Sequence, residues 1–148
     1  GSVFRALLPI ATSEIERRRP PPSAPSVARK GRILVVDDEP TIGIIVKRML
    51  ARHEVLATTD AREALAMVET GQRFDIILCD LMMPQMTGMD LHTEVLRIAP
   101  DQAERIAFMT GGAFTPRARD FLDQVPNPRI EKPFDMAGIN ALLQPLLV

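Results

Sequence analysis

Short apolar runs recur along this chain, and each stops at a polar residue. Ile33-Leu34-Val35-Val36 stops at Asp37-Asp38, Ile76-Ile77-Leu78-Cys79 at Asp80, and Ile106-Ala107-Phe108-Met109 at Thr110. Ile130 leads through Glu131 to Lys132-Pro133. Runs this short and unbroken suit strands buried on both faces of a parallel sheet. Between them the spacing of apolar residues turns helical. The pattern predicts a strand over 32–36, a helix over 40–51 with Pro40 in its first turn, and a strand over 54–58. Asp60 suits the cap of a helix over 61–70 that Gly71 closes. A strand over 75–79, a loop punctuated by Pro84 and Gly88, and a helix over 89–98 ending before Pro100 come next. A strand over 105–109, the flexible pair Gly111-Gly112, a helix over 116–124, a short strand at Ile130 and a helix over 134–147 complete the order. Five strands and five helices alternate strictly, with no internal repeat. Right-handed crossovers then predict an α/β fold, a (βα)5 doubly wound parallel five-stranded sheet.

At 148 residues, with 46% hydrophobic and 25% charged side chains, the chain fits one soluble domain with a sizeable core. No apolar run approaches the roughly 18 residues that span a bilayer, and no secretory signal is visible. The lone Cys79 lies inside a predicted strand, which excludes a disulfide framework and suits a reducing cytoplasm; a buried thiol there is inert core. The net charge of −1 conceals a division. Residues 1–31 hold six basic and two acidic side chains, whereas residues 32–148 hold twelve and seventeen. An acidic folded part argues against nucleic-acid binding and gives a reason to hold a cation. Residues 12–31, with Arg17-Arg18-Arg19 before Pro20-Pro21-Pro22 and no apolar period, read as a semi-rigid linker whose arginines are solvated.

In a parallel sheet, ligands bind beyond the carboxyl ends of the strands, where the polar stops fall. Asp37, Asp38 and Asp80 would there lie close enough to repel unless a cation bridges them, and an all-oxygen set suits Mg²⁺. Lys132 would bring an ammonium able to hold a phosphoryl oxygen or pair with Asp80, and Thr110 a hydroxyl. A carboxylate nucleophile beside a metal and an ammonium makes an aspartyl-phosphate site, with Asp80 the candidate nucleophile. Taken singly, Asp37-Asp38 also fits a helix cap and Asp80 a strand terminator.

These residues resemble the receiver domain of two-component response regulators. The resemblance covers about residues 31–148 and rests on ILVVDDEP, DIILCDLMMPQMTGMDL, RIAFMTGG and IEKPFD. It implies a flavodoxin-like receiver fold, Asp80 as phosphoacceptor, and Thr110 and Lys132 contacting the phosphoryl group. It also implies direct Mg²⁺ ligation by Asp38, Asp80 and the Met82 carbonyl, Asp37 acting through water, and a cis bond before Pro133. One position departs from the family: three residues before Lys132 stands Arg129, where an aromatic is usual. Output through the face made by the helices over 116–124 and 134–147 is therefore expected to differ. Met82 and Gly112 occupy positions that tune dephosphorylation in the family, and neither offers a side chain to orient water.

Residues 1–11, GSVFRALLPIA, resemble the last strand of a histidine-kinase ATP-binding domain. That resemblance implies the C-terminal receiver (32–148) of a hybrid histidine kinase, cytoplasmic, in a parent that a membrane anchor could hold. Implied partners are the dimerisation and phosphoacceptor helices of a histidine kinase and a histidine phosphotransfer protein, with no nucleic acid and no direct membrane contact. A homodimer through the orphan apolar segment is a further expectation. The helix over 40–51 should bury most of Ile42, Ile44, Ile45 and Val46 while giving part of the docking surface. Two other readings of the same residues are an aspartate-nucleophile phosphatase of haloacid-dehalogenase type, which usually wants D-x-D after the first strand, and a pseudo-receiver that binds without phosphorylation.

Overall fold

A computed structural model describes residues 29–112 and 115–147. Five strands form one sheet: β1 (Arg32–Val36), β2 (Glu54–Thr58), β3 (Ile76–Asp80), β4 (Ile106–Thr110) and β5 (Arg129–Glu131). All pair in parallel, in the order β2-β1-β3-β4-β5. The helices are α1 (Pro40–Met49), α2 (Ala61–Glu69), α3 (Gly88–Ile98), α4 (Pro100–Ala103), α5 (Pro116–Gln124) and α6 (Met136–Leu143).

Alternation along each strand divides the core in two. Leu34, Val36, Ile77, Cys79, Ile106 and Phe108 face one way and meet Ala64, Val68, Leu91, Val95 and Leu122 of α2, α3 and α5. Ile33, Val35, Ile76, Leu78, Ala107 and Met109 face the other and meet Val46 of α1, Leu50 just after it, and Ile139 and Leu143 of α6. Every residue of β3 and β4 is buried, which is why their sequences are continuous apolar runs. The edge strands β2 and β5 carry Glu54, Arg129 and Glu131 at exposed positions, charges that blunt pairing with another chain.

The structure departs from the expected elements in a few places. The short helix α4 breaks the strict alternation: Pro100 starts a fresh turn as its first residue after Ala99 leaves the helical region at φ −148°. Its Gln102 is buried because the amide clamps the approach to β3, accepting from the Phe74 N–H at 2.8 Å and donating to the Phe74 carbonyl at 3.2 Å. The last helix begins at Met136 rather than Phe134, because Asp135 caps it by accepting from the Gly138 N–H. Asp80 and Thr110 are the final residues of their strands, not the first of the loops. Of the four aliphatic residues expected in the core of α1, only Val46 is fully buried and Ile42 packs partly against the core, whereas Ile44 and Ile45 stand 53% and 39% exposed. The remnant strand expected over 1–11, the homodimer through it and most of the linker over 12–31 lie outside the described residues. No helix among the described residues is long and apolar enough to cross a membrane.

Candidate functional site

Parallel pairing brings the carboxyl ends of β1, β3, β4 and β5 side by side, so the polar stops of the apolar runs become neighbours. Carboxylate oxygens of Asp37, Asp38 and Asp80 lie within 4.8 Å of one another. Lys132, just after β5, reaches in from 95 residues away, with its Nζ 2.7 Å from Asp37 Oδ2 and 3.5 Å from Asp80 Oδ1. Lys132 thus pairs with Asp80, as the sequence allowed, and lies closer still to Asp37. Lys132-Pro133 is cis.

The three carboxylates are not equivalent. Buried Asp37 is held at both oxygens, Oδ2 by Lys132 and Oδ1 by the Glu39 N–H, which donates at 2.9 Å. Asp80, 7% exposed, has no close donor: the Met82 N–H and the Lys132 ammonium both sit 3.5 Å from its Oδ1, at the limit of a hydrogen bond. Asp38 is exposed. Asp37 is thus a fixed member of the cluster, while Asp80 keeps the free lone pairs that ligation or nucleophilic attack requires.

Burial first, then the Asp37 charge, pushes the Asp80 carboxyl up to about 6, against the opposing pull of Lys132 and the Met82 N–H. Burial alone would lower the Lys132 ammonium, but its bond to Asp37 and the charges of Asp80 and Asp37 outweigh that and hold it above its ordinary value. Burial, with Asp80 and Asp37 behind it, pushes the Cys79 thiol far up, so Cys79 is inert core. Two carboxylates at this separation repel by about 3–4 kcal/mol at an effective dielectric near 20. One ammonium cannot offset three such charges. A hard divalent cation can, and a set of carboxylate oxygens fits Mg²⁺.

Thr110 is buried, and its hydroxyl donates toward the Ile130 carbonyl at 3.5 Å. It lines an open cavity with Arg119, Leu122, Asp123, Arg129 and Glu131. Arg129, in register with Phe108 on the neighbouring strand, is exposed at that cavity. Met82 follows Asp80 by two residues, with its side chain exposed at the rim. Gly112, at φ 86°, carries no side chain toward the site.

Two contributors were not singled out from sequence. Glu39 acts through its backbone, which no pattern of side chains reveals. Gly88 marks more than a loop: a Cβ there would lie 2.4 Å from the Asp80 carbonyl oxygen and 3.0 Å from the Leu81 Cα. Its absence lets α3 start against the strand that carries Asp80. Thr87 and Asp90 close a capping box at that start, and Arg117 of α5 ties to Asp90 at 3.3 Å.

Residues 33–144 match the family described as response regulator receiver domain. Among curated relatives, the DNA-binding transcriptional regulator NtrC of Azospirillum brasilense is 32% identical over 114 residues, covering 76% of this chain and 23% of that protein. The chain spans under half the length of the curated relatives it matches. Among solved structures, Vibrio cholerae chemotaxis protein CheY4 is 30% identical with a TM-score of 0.67, covering 80% of this chain and 99% of that one. The receiver domain of sensor histidine kinase PA1611 from Pseudomonas aeruginosa, whose structure has a magnesium ion coordinated in the active site cleft, is 27% identical. Its TM-score is 0.68, and the match covers 80% of this chain and 98% of that one.

Proposed function

The chain belongs to the response regulator receiver domain family of two-component signalling, and from that premise we propose that Asp80 accepts a phosphoryl group from a phosphohistidine. Receiver domains interact with histidine kinases or phosphotransfer proteins. In the proposed step, an Asp80 carboxylate oxygen attacks phosphorus, the P–O bond forms as the P–N bond to imidazole breaks, and the imidazole nitrogen keeps the electron pair. The carrying observation is the contrast between Asp37, committed to two close donors, and Asp80, committed to none.

Receiver domains generally bind Mg²⁺ at an acidic site, and the cluster of Asp37, Asp38 and Asp80 supports that assignment here. Asp38, Asp80 and the Met82 carbonyl would hold the ion, with Asp37 behind through water; the bound cation supplies positive charge against the equatorial phosphoryl oxygens. Lys132 supplies a second positive charge to the same oxygens. Thr110 is bound only by a long contact to Ile130, so its hydroxyl is free to turn to a phosphoryl oxygen. Exposed Ile44, Ile45 and Met82 give the rim an apolar surface for the donor's helices. The resemblance of residues 1–11 supports the C-terminal receiver of a hybrid histidine kinase, joined by the linker at 12–31 to a kinase core in the cytoplasm. The family match favours the receiver reading over the phosphatase reading, and the complete set of Asp37, Asp38, Asp80 and Lys132 speaks against a pseudo-receiver.

Acetyl phosphate with Mg²⁺ tests the assignment. A stable phosphoryl adduct by intact mass is expected, lost in Asp80→Asn. No adduct, or one retained in Asp80→Asn, overturns it.

A further inference from the structure

The stretch from Pro40 to His53 holds Lys47, Arg48, Arg52 and His53 and no carboxylate, although acidic side chains outnumber basic ones across residues 32–148. Arg48, Arg52 and His53 line one cavity of about 410 Å³, together with Leu50 before β2 and with Met136 and Asn140 of α6. No acidic residue lines it, and neither do Asp37, Asp38, Asp80 or Lys132. Among the described residues, neither Arg48 nor Arg52 takes part in an ion pair.

The turn that carries these residues is fixed. The His53 N–H donates to the Leu50 carbonyl at 2.8 Å, and the His53 Nδ1 accepts from the Gly31 N–H at 3.0 Å. An accepting Nδ1 carries no proton, so the neutral ring holds its hydrogen on Nε2 and its other edge is a donor. The cavity therefore gathers two guanidiniums, an imidazole N–H and the Asn140 amide, with two apolar side chains beside them. Compensation of the helix dipole accounts for Lys47 and Arg48 in the last turn of α1. It does not account for Arg52, which lies beyond the end of that helix, or for Met136, left 46% exposed at the same cavity.

We propose that this cavity binds a small organic phosphate, a phosphate monoester with an apolar body. Two guanidiniums balance the double charge of such a head, and each guanidinium fork matches a pair of its oxygens. Three terminal oxygens also give the His53 and Asn140 donors something to meet. A carboxylate head, with one charge and two oxygens, would leave one guanidinium and a donor unmatched. The apolar body follows from Leu50 and Met136, whose surfaces a bare inorganic anion would leave uncovered. The volume falls within the roughly 300–1,000 Å³ of small-molecule sites, which are apolar cavities with a few convergent polar groups. The inference does not rest on the phosphoacceptor reading, because the two sites share no residue.

The test uses the whole chain at pH 8 in chelator, which keeps metal from drawing anions to the acidic cluster. Phenylphosphonate is the probe, because its P–C bond cannot transfer a phosphoryl group. Titration calorimetry should show one saturable site. Inorganic phosphate should bind about fivefold more weakly for want of the apolar body, and benzoate about tenfold more weakly for want of the second charge. Arg48→Gln and Arg52→Gln, both at exposed positions, should each weaken binding about tenfold while keeping the parent Tm. Met136→Ser should weaken phenylphosphonate and leave inorganic phosphate unchanged, a split that a diffuse positive surface would not give. Arg119→Gln, at the Thr110 cavity, should bind like the parent. Absence of saturation, equal affinity for all three probes, or undiminished binding in both Arg48→Gln and Arg52→Gln overturns the inference. So does loss of binding in Arg119→Gln, or uptake by phosphatidic acid vesicles without binding of phenylphosphonate, which would make the surface a membrane contact.

Discussion

Replacing Asp80 with asparagine should stabilise the metal-free protein at neutral pH. Burial and the Asp37 charge hold the Asp80 carboxyl at about 6 against an ordinary 3.8. Between those values the folded state keeps a proton that the unfolded chain has lost, so stability falls as pH rises through this window. Above it the ionised carboxylate costs the fold at most about 3 kcal/mol, from 1.36 kcal/mol for each pH unit between the two values. Water at the rim lowers this to about 1–3 kcal/mol. An asparagine side chain is neutral and keeps nearly the same shape, so Asp80→Asn should recover that amount at pH 7.5 in chelator. For a folded part of this size the gain raises Tm by about 4 °C per kcal/mol. At pH 5 the gain should be about half as large, because there the parent carboxyl is mostly protonated. With saturating Mg²⁺ it should vanish or reverse, because the cation stabilises the carboxylate that asparagine lacks. Thermal and urea unfolding of both proteins, at pH 5 and 7.5, with and without Mg²⁺, reads all four conditions. A destabilised Asp80→Asn in chelator, or a gain unaltered by pH and Mg²⁺, would refute the electrostatic reasoning.

His92 is buried between Phe108 and Phe121, with ring centroids 5.8 and 5.4 Å away, and burial holds its pKa below the ordinary 6.5. Its contribution to stability is complete above pH 6.5 and is lost as pH falls toward the folded value, so His92→Phe should flatten that acid-side loss; denaturation midpoints that still fall as steeply below pH 6.5 would contradict this. Gln102→Leu leaves the Phe74 N–H and carbonyl without their partner, at a cost of about 2–4 kcal/mol in urea unfolding, and a loss under about 1 kcal/mol would show that water replaces the clamp. Gly88→Ala drives a methyl into the Asp80 carbonyl and should cost about 1–3 kcal/mol while slowing acetyl phosphate labelling; unchanged stability and labelling would mean that α3 shifts freely.

The sequence determined the layers of this protein and the edge at which its chemistry gathers. Unbroken apolar runs such as IILC and IAFM are required by strands covered on both faces, and a parallel sheet aligns their polar ends whatever the side chains do afterwards. Asp37, Asp38, Asp80, Thr110 and Lys132 were therefore legible as neighbours, although they span 95 residues. Periodicity is local, however, and says nothing of which neighbour a side chain prefers. Tertiary structure decided that Lys132 lies closest to Asp37, that the Glu39 N–H takes the other Asp37 oxygen, and that Asp80 is left without a close donor. It likewise decided that Ile44 and Ile45 face outward, because the amount of sheet beneath a helix depends on where the helix crosses. The extra turn at α4 and the Gln102 clamp arose from the same source. A buried amide is explained only by the backbone groups it reaches, and those belong to a residue 28 positions earlier in the chain.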